Sequence, residues 1–186
     1  MVMSLLTINA KAGGDNGRFS IGAELGLPMG TFGDAQGIGF GGSLRYEMPM
    51  GDNLGLMATA GFLSFSAKDY SVAGFTIKGN TETVIPIQVG AKYYFTEQQN
   101  GFYGSVELGV HSSSVTIPGY EGTVIGGVTY GAYPETKVTN TNLSYAPGVG
   151  YHLANLDLGL KYQIISGDGG SSSYLGVRIA YVLGEK

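Results

Sequence analysis

Few residues in this chain could do chemistry. Its 186 residues include two histidines, His111 and His152, and no cysteine. Without a thiol there is no cysteine nucleophile, disulfide frame, or Cys-ligated zinc or iron–sulfur site. His111 is followed by Ser112, Ser113 and Ser114, and Glu107 lies one repeat before it. Serine, imidazole and carboxylate are the parts of a hydrolase. This spacing, however, places no nucleophile against a base, so no catalytic residue is assigned. The ordinary role for such a histidine is a hydrogen bond to Tyr or Glu inside the fold. The histidines lack metal-ligand spacing, and there is no EF-hand loop. The glycine run Gly37-Ile38-Gly39-Phe40-Gly41-Gly42 is followed by no helical pattern, so it is strand glycine rather than a nucleotide cradle. No metal and no cofactor are expected. A net charge of −4 argues against a nucleic-acid partner.

The informative charges are scattered singly. Glu24, Glu47, Glu107 and Asp157 match Arg45, Lys92, Lys161 and Arg178, four acids against four bases. All eight fall on the polar side of segments that alternate apolar and polar. Ions on the inside of a narrow fold must be paired, because an unpaired one costs several kcal/mol. The set therefore predicts an interior polar network, provided the polar faces point inward.

Eight segments carry the alternation, which is the strand period. They span residues 18–29, 38–50, 54–66, 83–95, 102–111, 143–153, 156–164 and 175–183. The clearest is the seventh, with Leu156, Leu158, Leu160, Tyr162 and Ile164 opposing Asp157, Gly159, Lys161 and Gln163. The third is blurred, because Met57, Leu63 and Phe65 sit among its polar positions. At roughly 10 residues or more, such segments can cross a bilayer as tilted strands. No apolar run reaches the ~18 residues of a membrane helix. Connections alternate as well. They are short at 51–53, 96–101 and 154–155, and longer at 30–37, 67–82, 112–141 and 166–173. Short turns on one side and long loops on the other are the pattern of a membrane barrel.

Alternation also fits a soluble lipocalin-like barrel with its apolar face inward. Three features favour the opposite orientation. Charged residues are only 13 % of the chain, too few for a solvated coat. The polar faces are mostly Gly, Ser and Ala, which suit the tight interior of eight strands. Finally, Phe19, Tyr46, Tyr93, Phe95, Phe102, Tyr151 and Tyr181 all fall on apolar faces near the short turns. They predict an aromatic girdle at one membrane interface. The expected fold is all-β, an eight-stranded antiparallel up-and-down transmembrane β-barrel.

Met1–Ile8 is mostly apolar, and Ala10-Lys11-Ala12 is a small-x-small pattern before Gly13-Gly14. Residues 1–12 read as the tail of a signal peptide, leaving one barrel domain over 13–186. In the longest loop, Val124–Tyr130 has strand composition around a Gly-Gly turn. It predicts either an extension of the flanking strands or a separate hairpin. A ten-stranded barrel is disfavoured because these stretches lack ten-residue alternation.

FSIGAELGLPMGTFGDA, IPIQVGAKYYF, YAPGVGYHLANLDLGLKY and YLGVRIAYVL resemble segments of small outer-membrane barrels of Gram-negative bacteria. The likeness is to the OmpA/OmpX-like group, and most of all to glycine-rich outer membrane β-barrel chains of the Bacteroidetes. It covers residues 18–183 and implies an outer-membrane location, with contact to outer-membrane lipid and lipopolysaccharide. Some barrels of that group modify lipid A, but at sites on their outer surface, whereas His111 reads as inward. The fold alone does not give the function. Three readings stand. One is a non-enzymatic structural or surface-interacting barrel, with a protein partner at the 112–141 loop. The second is a narrow, porin-like pore or a conduit for small or apolar ligands. The third is a soluble ligand-binding barrel.

Overall fold

A strand surrounded by lipid finds no water for its N–H and C=O groups, so each strand must be paired on both edges. The computed structural model shows how this chain meets that condition. It describes residues 17–68, 70–72, 75–77, 79–96, 99–117, 123–126, 128–131, 134–167 and 170–183. The signal-peptide tail read at 1–12 lies outside them. Eight strands form the wall: β1 (Arg18–Met29), β2 (Gln36–Pro49), β3 (Leu54–Ala67), β6 (Glu82–Tyr94), β7 (Gly101–Ile117), β10 (Thr136–Leu153), β11 (Leu156–Gly167) and β12 (Gly170–Leu183). Each pairs antiparallel with its neighbours in the chain. β1 pairs with β12 from Phe19↔Leu183 to Met29↔Ser173, which closes the barrel without an edge.

Smaller elements lie on the long-loop side. The helix α1 (Gly30–Ala35) follows β1 and was not signalled by the sequence pattern. The hairpin β4–β5 (Tyr70–Val72, Phe75–Ile77) occupies the second long loop. In the third, β8 (Thr123–Ile125) pairs with β9 (Val128–Tyr130). Val124–Tyr130 thus falls in the separate hairpin, while β7 and β10 continue outward through other residues of the loop, as a paired ribbon ending at Thr136↔Ile117. The barrel keeps eight strands, and β8–β9 forms its own sheet.

The strand period fixes which way each side chain points. Leu160, Val149 and Ile179 are 42 %, 56 % and 55 % exposed, while Lys92 and Arg178 are buried. The apolar residues form the outer wall and the charges line the axis. The blurred third segment resolves by the same rule. Leu54, Leu56, Ala58, Ala60 and Phe62 face outward, and Met57, Leu63 and Phe65 are inward and buried. Among the described residues no helix is long and apolar enough to cross a membrane.

This orientation predicts an asymmetric response to substitution. Leu160→Arg, on the outer wall, is expected to cost about 2–4 kcal/mol in lipid vesicles. Gly159→Ser, one position along on the lumen side, should cost far less. A Cβ there meets Tyr103 Oη at 3.3 Å, an approach relieved by a small shift. Denaturant titration of the two variants reads the difference, and equal losses would contradict the assigned faces.

Candidate functional site

The lumen is filled by polar side chains that arrive in layers from all eight strands. At the short-turn end, Gln99 forms the floor. Its φ of 53° is in the left-handed region, unfavourable for a residue with a Cβ. Its side chain offsets that cost by donating to the carbonyls of Gly51 (2.9 Å) and Leu54 (2.8 Å) while accepting from Arg18 Nη2 (2.8 Å). Arg18 also pairs with Glu47 at 2.7 Å. Glu47 further pairs with Lys92 at 3.0 Å and accepts from the Tyr94 hydroxyl at 2.7 Å. Lys92 reaches on to Asp157, which accepts from the Tyr103 hydroxyl at 2.7 Å. The Lys92 ammonium also lies 4.2 Å from the Tyr103 ring centroid, so the ring face adds a cation–π contact. Tyr103 can lie there only because its neighbour across the ladder is Gly150. A Cβ on that residue would fall 2.2 Å from the ring carbon that bears the hydroxyl.

The middle layer holds the other two charge groups. Arg45 donates to Glu107 at 2.8 Å and to Thr59 at 3.0 Å. Lys161 approaches the second Glu107 oxygen at 3.7 Å and donates to Gln88 at 3.3 Å. Arg178 lies 3.5 Å from Glu24 and donates to Ser43 (2.9 Å) and Ser20 (2.9 Å), while Ser43 donates to Glu24 at 2.6 Å. Above this layer Gln88 donates to Ser144 at 3.4 Å. His111 Nδ1 lies 2.8 Å from Ser144 Oγ, and Nε2 lies 3.2 Å from the Tyr174 hydroxyl. The outermost layer is apolar and contains Phe32, Leu63, Phe65, Val84, Ile165 and Tyr174.

The eight charges singled out from sequence therefore lie together along one axis, each within ion-pair distance of an opposite charge. Sequence reading missed Arg18, a ninth member, and Tyr94, Gln99 and Tyr174. Three of these were legible by parity. Arg18 shares the face of Ser20 and Glu24, Tyr94 that of Lys92, and Tyr174 that of Arg178. Gln99 sits in a turn, where no period applies.

The two histidines are placed differently. His111 is buried, and both its ring nitrogens are engaged within the lumen. His152 Nε2 lies 2.8 Å from the Ala154 carbonyl, at the short-turn end. Neither faces the outer surface, and no cluster of three or more His, Asp or Glu able to hold a metal occurs among the described residues.

On the outer wall, the aromatic residues near the short turns pair across strands. Phe19 packs against Tyr46 with tilted rings and Phe102 meets Tyr151 edge-on, with ring centroids 4.7 Å apart in each pair. Tyr93 lies 6.0 Å from Phe95, and Tyr181 is opposite Leu156. Four further aromatics, Phe40, Phe62, Tyr145 and Tyr162, also face outward but farther toward the long loops.

Removing one partner of a buried ion pair leaves the other uncompensated. Lys92→Met leaves Asp157 without its ion-pair partner and takes one of two cations from Glu47, and is expected to destabilise the barrel by about 3–5 kcal/mol. Adding Asp157→Leu should recover part of that loss. Tyr103→Phe removes one hydrogen bond to a charged group and should cost only about 1–3 kcal/mol. Unfolding titrations in vesicles measure all three. A Lys92→Met loss no larger than that of Tyr103→Phe would mean the ions are effectively hydrated.

A closed eight-stranded barrel with an apolar wall and an ion-paired axis matches known proteins in fold. Ail, the attachment invasion locus protein of Yersinia pestis, in its complex with the heparin analogue sucrose octasulfate, aligns with a TM-score of 0.60 at 11 % identity. That alignment covers 91 % of this chain and 100 % of Ail. The N-terminal barrel of Pseudomonas aeruginosa OprF aligns at 0.51 and 14 % identity, covering 92 % of this chain and 100 % of that one. Neisserial surface protein A aligns at 0.52 and 15 % identity, covering 89 % and 96 %. No curated protein matches the sequence. The outer membrane protein beta-barrel domain model matches residues 1–182, nearly the whole chain. The outward-facing apolar wall, the closed topology and this match lead to one conclusion: the chain belongs to the outer membrane protein β-barrel family and is an integral protein of the bacterial outer membrane.

Proposed function

We propose that this protein is a non-conducting, non-enzymatic barrel whose surface role is carried by its long-loop side. The observation that carries this reading is the contrast between a bonded lumen and a protruding ribbon. Ion pairs and hydrogen bonds run from Gln99 at the floor to Tyr174 near the top, with an apolar layer above. Eight strands leave only enough room for such side chains, so the lumen holds no aqueous path. Against a hydrolase stands His111, both of whose nitrogens are engaged inside the barrel.

The proposal extends to the membrane contacts. Phe19, Tyr46, Tyr93, Phe95, Phe102, Tyr151 and Tyr181 form the inner girdle, at the short-turn side. Phe40 lies six residues beyond Tyr46, Tyr145 six beyond Tyr151, Tyr162 six beyond Leu156 (opposite Tyr181), and Phe62 eight beyond Leu54 (opposite Tyr93). With a tilt of ~40° each residue climbs roughly 2.6 Å, so most of this second set stands about 16 Å above the first. That places it in the outer half of the ~25 Å apolar band of such barrels. The second set would then meet the outer leaflet, where lipopolysaccharide is the lipid.

The ribbon of β7 and β10 supports a protein partner at 112–141. β10 pairs with β7 from Thr136, but its register with β11 begins only at Leu143↔Ser166. Thr136–Asn142 thus offers a strand edge beyond the barrel, the template an extended peptide can join.

Planar-bilayer recordings test the first part, and no current steps above the lipid baseline are expected. Reproducible single-channel steps would favour the pore reading. For the second part, residues 113–140 are replaced by Asn-Gly, a two-residue hairpin turn that joins the paired Ser112 and Thr141 and removes the ribbon with nearly all of its free edge. The barrel should keep its heat-modifiable gel migration, while cells displaying it lose binding to immobilised extracellular proteins. Undiminished binding would place the interaction elsewhere.

A further inference from the structure

The apolar layer at the outer mouth has an unusual member. Leu63, Phe65, Val84, Ile165 and Tyr174 come from the barrel wall, but Phe32 comes from α1, outside it. Phe32 is the only buried residue of that helix. Its ring meets Phe65 edge-on with centroids 5.0 Å apart, and Phe65 in turn lies 5.4 Å from Tyr174. The wall residues form a cup, and one benzyl group fills it.

A six-residue helix is far below the length that is stable by itself. No side chain caps its N-terminus, and no acidic residue occupies its first turn. Its start, Gly30, has φ of +56°, and a Cβ built there would touch nothing within 4 Å, so the chain reverses at an uncrowded glycine. Lys68, just past the end of β3, is tied to the helix. Its ammonium donates to the Gly33 carbonyl, and its backbone N–H donates to Ala35 O at 3.2 Å. A short helix with no side-chain cap, starting on a glycine pivot and burying a single ring, has the construction of a lid.

We propose that α1 is a hinged lid over a ring-sized apolar binding site in the outer mouth of the barrel, and that Phe32 keeps the site closed by occupying it. The ligand class follows from the occupant: a small aromatic molecule arriving from the extracellular side. The floor of the cup is polar, since the Tyr174 hydroxyl bonds His111 beneath it. A ring bearing one hydrogen-bonding group therefore suits the site better than a bare hydrocarbon. The ion-paired layers below remain closed when the lid lifts, so the site captures without opening a path across the membrane. It is separate from the ribbon of β7 and β10 and stands whether or not that ribbon binds a protein.

The absence of cysteine makes a direct test available, because Val84→Cys creates the sole thiol, at a buried cup position. In detergent-folded protein a charged thiol reagent should label it slowly. Adding Phe32→Ala should raise the rate at least about tenfold, because it removes the one side chain the helix buries. Lys68→Met should give a smaller rise without altering the cup. Indole added to the Phe32→Ala variant should slow labelling again. In the chain that retains Phe32, indole should speed amide exchange across residues 30–35 by displacing the lid. Unboiled gel migration verifies that each variant is folded. Equal labelling with and without Phe32 would overturn the lid, and indole without effect on either readout would overturn the binding site.

Discussion

The structure depends on one constraint: hydrocarbon offers no hydrogen bonds to a strand. Every N–H and C=O in the membrane must find a partner in the sheet, and an antiparallel sheet achieves this without edges only by closing. Closure then dictates the rest. Once β1 pairs with β12, each strand has one face toward lipid and one toward an axis that eight strands make narrow. Apolar side chains need no partner outside, and polar side chains have nowhere else to go but inward. The two-residue repeat of the sequence records these opposite demands.

The inward face carries the costly part of the design. Charged groups removed from bulk water are tolerated only when paired and hydrogen-bonded, and here they are shared rather than matched one to one. Glu47 serves Arg18, Lys92 and Tyr94, while Glu107 serves Arg45 and Lys161. Such sharing ties distant strands across the lumen, from β1 to β6 and from β2 to β7. A barrel wall made only of nearest-neighbour ladders would lack those struts. The same struts fill the bore, so the arrangement that stiffens the barrel is also what favours a surface role over transport.

On the proposed reading, function is displaced to the ends. The short-turn end is closed by Gln99 bonding three groups at once, and the other end by a ring inserted from a loop. Between the two ends only the loop side has strands that outrun the barrel, and loops on a rigid scaffold are where recognition usually sits.

The sequence by itself determined the strand count, the face of each residue and the eight charges of the axis, because period-two alternation is a local property of each strand. Even the ambiguous Met57, Leu63 and Phe65 obeyed it once their neighbours were placed. Only the tertiary structure decided which ions meet. Pairs such as Lys92 with Asp157, or Arg178 with Glu24, join strands far apart in the chain, and their approach depends on barrel shear, which no single strand encodes. It alone placed Gln99 at the floor, since a turn has no period. It alone revealed α1, whose six residues carry no amphipathic repeat and are helical because Phe32 found a cup built by five residues from four other strands.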